Sequence, residues 1–411
     1  MIKKINYKWE LLALLWIAYL LNQADRQAFN VVLPLIKAEL QLTDLEVGWI
    51  ATLFNLVYAF LVPLAGYIGD RYSRKWIIVF SILLWSIATM FTGFANGFLM
   101  LIFVRSIATG GGEALFGPAN YTLLASFHKG SRGFAMSIHQ TAYYVGIVVS
   151  GYVAGYIGAN WGWRNTFYIF GLIGVIHGIV LIFRLKDKKE NSAIVKEKIK
   201  FSEGVRILFR TPTALILTIA FCGLIFVLTG YLTWTPTYLY ESFNMNLFQA
   251  GFNSMFYTHL FAFIGVIIAG KYSDKLAKKD PAKRLLVQSI ALLSASPFII
   301  LMGSSSTLLL MYVGFAGFGF ARAFFDANTY TVLYDVIPRK YQASASGIML
   351  MMGFGVGSFS PVVLGYLKPI IGLSNGISML SIVWVLCSVL LFIAYKYFFA
   401  KDYKNALNYD K

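Results

Sequence analysis

Asp25 and Arg26 stand side by side in the polar run Asn22-Gln23-Ala24-Asp25-Arg26-Gln27, which apolar residues flank from about Leu11 to Ile36. About 20 apolar residues at ~1.5 Å each cross the hydrocarbon core of a bilayer, so both charges are expected near the midplane of a membrane helix. A charge there costs at least ~3 kcal/mol and persists where it faces a polar cavity or an opposite charge. Arg105 and Glu113 fall in a second such run, and Arg322 and Asp326 in a third. In these surroundings burial favours the neutral form of a carboxyl and a nearby arginine favours the ionised form, a competition suited to a group that loads and unloads a proton. The planar two-pronged guanidinium of Arg26 suits the grip of a carboxylate. Tyr58, His139, Gln140 and Tyr143 add hydroxyl, ring and amide groups for a polar small molecule. The plainer alternative is an internal ion pair that locks helices together, and Arg322 with Asp326, four apart on one helix, fits it most directly.

The elements that must position these groups are membrane helices. The chain is 58% hydrophobic and 13% charged, against about 25% charged in soluble domains. Twelve apolar runs of helix length lie between residues 9 and 399, and none has the ten-residue alternation of a β-barrel strand. The fold class is therefore an all-α membrane protein with twelve transmembrane helices. With twelve crossings both termini lie on one side. All but six of the 35 lysines and arginines belong to that side; Arg26, Arg105 and Arg322 lie inside spans, and Lys37, Arg164 and Lys368 lie opposite. The positive-inside rule makes the termini cytoplasmic. The net charge of +17 is thus a topology signal, and no nucleic-acid partner is expected. Met1-Ile2-Lys3-Lys4 leads directly into the first run, with no small-residue cleavage site.

The polar segment 185–210 is expected to be a cytoplasmic linker, with an amphipathic surface helix around Phe201–Phe209. It separates an N-terminal six-helix bundle, 1–184, from a C-terminal bundle and short tail, 211–411. The halves repeat: Gly66-Tyr67-Ile68-Gly69-Asp70-Arg71 follows span 2 as Gly270-Lys271-Tyr272-Ser273-Asp274-Lys275 follows span 8. Equivalent halves around a midplane site are a transporter signature. Cys222, Cys387 and the four histidines have no metal or nucleophile–base spacing, so neither an enzyme nor a metal site is expected. His177 and His259 read as structural residues and Asp335 as a loop charge. No nucleotide-binding motif is present, which disfavours an ATP-driven pump.

Gly66, Asp70, Arg71, Ser73, Arg74 and Lys75 match the loop signature G-x-x-x-D-R-x-G/S-R-R/K of the major facilitator superfamily, which the chain resembles over nearly its whole length. Within it, Asn22…Asp25-Arg26 and Gly110-Gly111-Gly112-Glu113-Ala114 are similar to the helix 1 and helix 4 patterns of the anion–cation symporters, which include sugar-acid permeases. Tyr58, Gln140 and Trp234-Thr235-Pro236-Thr237-Tyr238 fit the same branch. Spinster-like carriers of amphipathic lipids share the helix 1 Asp-Arg and the helix 4 Glu. The resemblance implies two pseudo-symmetric six-helix bundles that work by alternating access as a monomer in a bacterial inner membrane. The function it implies is proton-coupled symport of a small organic anion of hexuronate, aldonate or sialate type, the alternative being spinster-like transport of lysolipids. It assigns proton coupling to Asp25 and Glu113, with the proton as coupling ion and no other cofactor. Substrate contacts would come from Arg26, Tyr58, Arg105, His139, Gln140 and Tyr143, and in the second half from Trp234, Tyr238, Asn253, Tyr257, Arg322, Asp326 and Asn328. Gly66, Asp70, Arg71, Arg74 and Asp274 would form a conformational latch. One spacing departs from the pattern. Arg105 stands eight residues before Glu113, where both branches show seven, and one residue turns a helix by about 100°. Two readings of Arg105 therefore stay open: it grips a carboxylate as Arg26 does, or it pairs with Glu113.

Overall fold

The computed structural model describes residues 6–128, 131–187 and 201–409; the side chains of Tyr67, Asp70, Arg132 and Phe201 and the linker residues 188–200 lie outside the described residues. The described chain is helical from end to end. Six helices come first: α1 (Tyr7–Glu39), α2 (Asp44–Arg71), α3 (Arg74–Thr92), α4 (Phe98–Phe127), α5 (Arg132–Trp161) and α6 (Trp163–Arg184). After the linker come α7 (Phe201–Arg210), α8 (Pro212–Ser242), α9 (Leu247–Ala277), α10 (Lys283–Ser304), α11 (Leu308–Val336), α12 (Gln342–Gly357), α13 (Ser360–Tyr397) and α14 (Phe399–Tyr409).

Among the described residues, ten stretches are long and apolar enough to cross a membrane. One of them, Arg339–Tyr397, holds two crossings, because Gly372 inside α13 takes a left-handed φ of 77° and turns the chain. Only glycine adopts that conformation at low cost. α1 is the remaining crossing; its central polar run holds its hydropathy down. Local sequence explains the helix starts. Asn6 accepts from the Lys8 amide, Thr43 and Glu46 form a reciprocal capping box, and Ser73 accepts from the Trp76 amide. Each satisfies amides that the first turn leaves unpaired.

Two compact units emerge. The first comprises Met1–Ala193 with Leu232–Met255, and the second Ile194–Tyr231 with Phe256–Lys411. The core of the first unit joins Leu11 and Leu15 of α1, Ile78, Ile82 and Trp85 of α3, Phe116 and Leu123 of α4, and Leu181 of α6. Gly112 lets α4 approach α3 closely: a Cβ there would stand 2.9 Å from the Trp85 backbone nitrogen, and the Ser81 hydroxyl donates to the Gly112 carbonyl at 2.5 Å. The 232–255 segment joins this unit through α5, where Tyr152 and Tyr156 contact the Phe248 ring at 5.4 and 6.4 Å. In the second unit, the Ser289 and Ser388 hydroxyls each donate to the other's carbonyl at 2.8 Å, clasping α10 to α13.

Candidate functional site

Consecutive residues on a helix point about 100° apart, so Asp25 and Arg26 serve different neighbours. Asp25 turns toward α3 and α4. Its Oδ2 receives Arg105 at 2.8 Å and its Oδ1 receives the Thr89 hydroxyl at 3.0 Å. Arg105 also donates to the main-chain carbonyls of Asp25 and Arg26, at 3.0 and 3.3 Å. Arg26 turns instead to Glu113, its Nε donating to Oε2, while the guanidinium lies 4.2 Å from the Tyr58 ring centre. Phe54 sits beneath both arginines, 5.4 Å from Arg26 and 5.1 Å from Arg105. Two arginine–carboxylate pairs from α1 and α4 thus stand together inside the first unit.

Arg105 pairs with Asp25 and not with Glu113, and the winding of α4 lets it reach there despite the extra residue. Ile102–Thr109 winds as a π-helix within α4. A π turn accommodates one more residue than an α turn, so it absorbs the extra residue between Arg105 and Glu113 and returns both side chains to the inner face. Two hydroxyls brace the wider turn: Thr109 donates to the Val104 carbonyl five residues back at 2.9 Å, and Ser106 donates to Ile50 of α2 at 2.8 Å.

The two pairs differ in accessibility. Asp25 and Arg105 are each 3% exposed, and the Asp25 carboxylate has a partner on both oxygens. Glu113 is also buried, but its Oε1 has no hydrogen-bond partner among the described residues, and the Arg26 side chain keeps 22% of its surface open. A fully enclosed pair strongly resists separation. A pair with an accessible cation and a half-used carboxylate can exchange partners.

Around this centre the polar residues divide. Tyr58 joins it directly. On α5, His139 is fully buried, stacked on Tyr19 at 4.9 Å with its Nε2 3.0 Å from the Asn120 amide nitrogen, whereas the neighbouring Gln140 is exposed. Tyr143 lies 6.5 Å from the Tyr19 ring, and Tyr121 lies 5.4 Å from the His139 ring. Sequence reading passed over Thr89, Phe54, Tyr19, Asn120 and Tyr121. Only their placement in apolar runs marked them, a signal shared by many residues that merely pack. His177 takes the structural role expected of it, with Nε2 3.0 Å from the Leu14 carbonyl.

The later candidates have surroundings of their own. Trp234 and Tyr238 are buried, Tyr238 edge-on to Phe243 at 5.6 Å, and the Asn253 amide approaches the Met245 sulfur at 3.9 Å. In the second unit Tyr257 stacks on Tyr312 at 4.4 Å. Arg322, 4% exposed, pairs with Asp326 at 3.1 Å on the same helix. α11 breaks just beyond, at Ala327-Asn328, and Asn328 bridges the break, donating to Phe324 at 2.8 Å and to Ser273 of α9 at 2.9 Å. Asp274 and Asp335 both bind Arg284, at 2.9 and 3.3 Å, so Asp335 is an ion-pair partner rather than a bare loop charge. A Cβ on Gly66 or Gly270 would meet nothing within 4 Å. Neither glycine is there to make room.

Comparison with known proteins gives the family of the chain. The family model described as Major Facilitator Superfamily matches residues 15–361. The "Probable galactarate/D-glucarate transporter GudP" of Bacillus subtilis is 24% identical, over 91% of this chain and 88% of its own length. The "Probable sulfoacetate transporter SauU" of Cupriavidus necator is 28% identical, over 89% of this chain and 88% of its own. The crystal structure of a bacterial homologue of the human lysosomal transporter spinster, in an inward-facing and occupied conformation, superposes with a TM-score of 0.83 at 21% identity, covering 97% of this chain and 99% of that one.

Proposed function

The chain belongs to the major facilitator superfamily of secondary transporters, and from that premise we propose that it imports a small organic anion of the sugar-acid type together with protons. The membrane would be a bacterial cytoplasmic one, with both termini on the cytoplasmic face. The carrying observation is the Arg26–Glu113 pair: a guanidinium with 22% of its side chain exposed, held by a buried carboxylate whose second oxygen has no hydrogen-bond partner among the described residues. Protonation of Glu113 weakens that hold and frees Arg26 to grip a substrate carboxylate with two parallel N–H donors. Loss of the proton restores the pair and expels the anion. Proton and anion are therefore bound together and released together, which is symport. Tyr58, stacked on Arg26, orients the guanidinium plane. Relatives whose names specify galactarate, D-glucarate and sulfoacetate support an anionic cargo.

Reconstituted protein tests this directly. Glu113→Gln leaves Arg26 without its competing carboxylate, so exchange of labelled for unlabelled substrate should survive while accumulation driven by an imposed pH gradient fails. Arg26→Lys keeps the charge and loses the planar grip, worth about 1.5–3 kcal/mol for a charged hydrogen bond. Apparent affinity should then fall about tenfold to a hundredfold. Gradient-driven accumulation by Glu113→Gln would remove this glutamate from coupling. A thermal-shift response of the wild-type protein to lysolipids and to none of the sugar acids would replace the anion reading with a spinster-like one.

A further inference from the structure

Three elements of the second unit lie at one end of its membrane helices. α7 ends one residue before α8 begins, the turn Arg339–Tyr341 joins α11 to α12, and α14 follows α13. Each is docked on the helix ends by its inner face. Gly204 and Leu208 of α7 are buried, and a Cβ on Gly204 would stand 2.7 Å from the Ser344 Cβ of α12. On α14, Phe399, Asp402 and Ala406 turn inward, and the Asp402 carboxylate accepts the Thr213 amide at 2.9 Å, capping the first turn of α8. The Tyr409 hydroxyl reaches Tyr341 at 3.3 Å and ties α14 to the turn, against which α7 also packs.

The outer faces are of one character. Arg206, Arg210, Arg339, Lys340, Lys401 and Lys404 are all exposed. The three elements carry two acids, Glu203 and Asp402, and Asp402 is consumed by the cap. Large apolar side chains stand among the cations: Phe209 is 49% exposed, Leu407 47% and Tyr409 56%. Helices that lie at the ends of membrane spans with basic and apolar groups interleaved sit at the lipid headgroup level, where clustered lysine and arginine attract anionic lipids. We propose that α7, the Arg339–Tyr341 turn and α14 form a binding surface for anionic phospholipid headgroups. Charge complementarity selects the occupant, and the apolar side chains enter the acyl boundary beside it. Because α7 is seated on α12 and α14 caps α8, a bound headgroup layer braces the ends of both helices.

Thermal unfolding of the full-length protein in mixed micelles tests the surface. Phosphatidylglycerol should raise the wild-type midpoint by several degrees more than phosphatidylcholine does. The variant R206Q/R210Q/K401Q/K404Q should lose more than half of that difference and keep its midpoint in phosphatidylcholine. The charge-preserving variant R206K/R210K/K401R/K404R should retain the difference, and the α7 pair and the α14 pair changed separately should each lose part of it. An undiminished phosphatidylglycerol effect in the glutamine variants would overturn the proposal. So would a wild-type protein that does not distinguish the two lipids, or one that responds equally to inorganic phosphate alone.

Discussion

Asp25 and Arg26 are adjacent in the chain yet belong to different machinery. Asp25 is spent on Arg105 and Thr89 and is buried, whereas Arg26 pairs with Glu113 and keeps 22% of its side chain exposed. The enclosed pair therefore holds α1 and α4 at a fixed distance, and the open pair is the one able to change partners. Removing one member of a buried pair leaves an uncompensated charge, at a cost of about 3–5 kcal/mol. Arg105→Ala should accordingly lower the unfolding midpoint sharply. Asp25→Asn combined with Arg105→Gln strands no charge and should recover most of the loss. If the single and double variants prove equally unstable, the pair does not carry the stability assigned to it.

At the scale of the element, α4 decides the site. Its π-helical stretch Ile102–Thr109 holds one residue more than an α-helix would over the same rise. Deletion of Ile107, whose side chain is 48% exposed, should let the segment close into an α-helix with Arg105 and Glu113 still on the inner face. Uptake and unfolding midpoint should stay near wild type. Insertion of an alanine after Ile107 adds a residue that the turn cannot absorb, swings Arg105 by about 100°, and should behave like Arg105→Ala. Equal damage from the deletion and the insertion would show that the π turn is not the device that sets the register. The neighbouring glycines serve packing instead: at Gly110 a Cβ would come within 3.1 Å of the Phe54 carbonyl on α2.

For the whole molecule, the distribution of cations sets an orientation. With Lys37, Arg164 and Lys368 the only basic residues on one side of the twelve crossings and the great majority on the other, the terminal side should face the cytoplasm. Cys222 and Cys387 are both buried, so a single introduced thiol reports cleanly. An impermeant maleimide added to intact cells should label Ser306→Cys, between α10 and α11, and leave Lys404→Cys on α14 unlabelled until the membrane is opened. The reverse pattern would invert the topology and with it the direction proposed for uptake.

Much of this was legible in the chain itself. The membrane class, the crossings and the placement of Asp25, Arg26 and Glu113 inside membrane helices follow from transfer free energies, which depend on composition along one helix at a time. The partnerships did not follow. That Asp25 takes Arg105 while Arg26 takes Glu113 depends on how α1 is rotated against α3 and α4, and that rotation is set by packing among residues far apart in sequence. His139 and Gln140 show the same limit: neighbours of similar polarity, one sealed beneath Tyr19 and the other exposed. Residue counting along an ideal helix left the role of Arg105 open, because winding is a property of the folded helix. The extra residue was visible in the spacing, but whether it rotated the face or bulged into a π turn was decided by the Asp25–Arg105 pair, too costly to leave unmade inside a membrane.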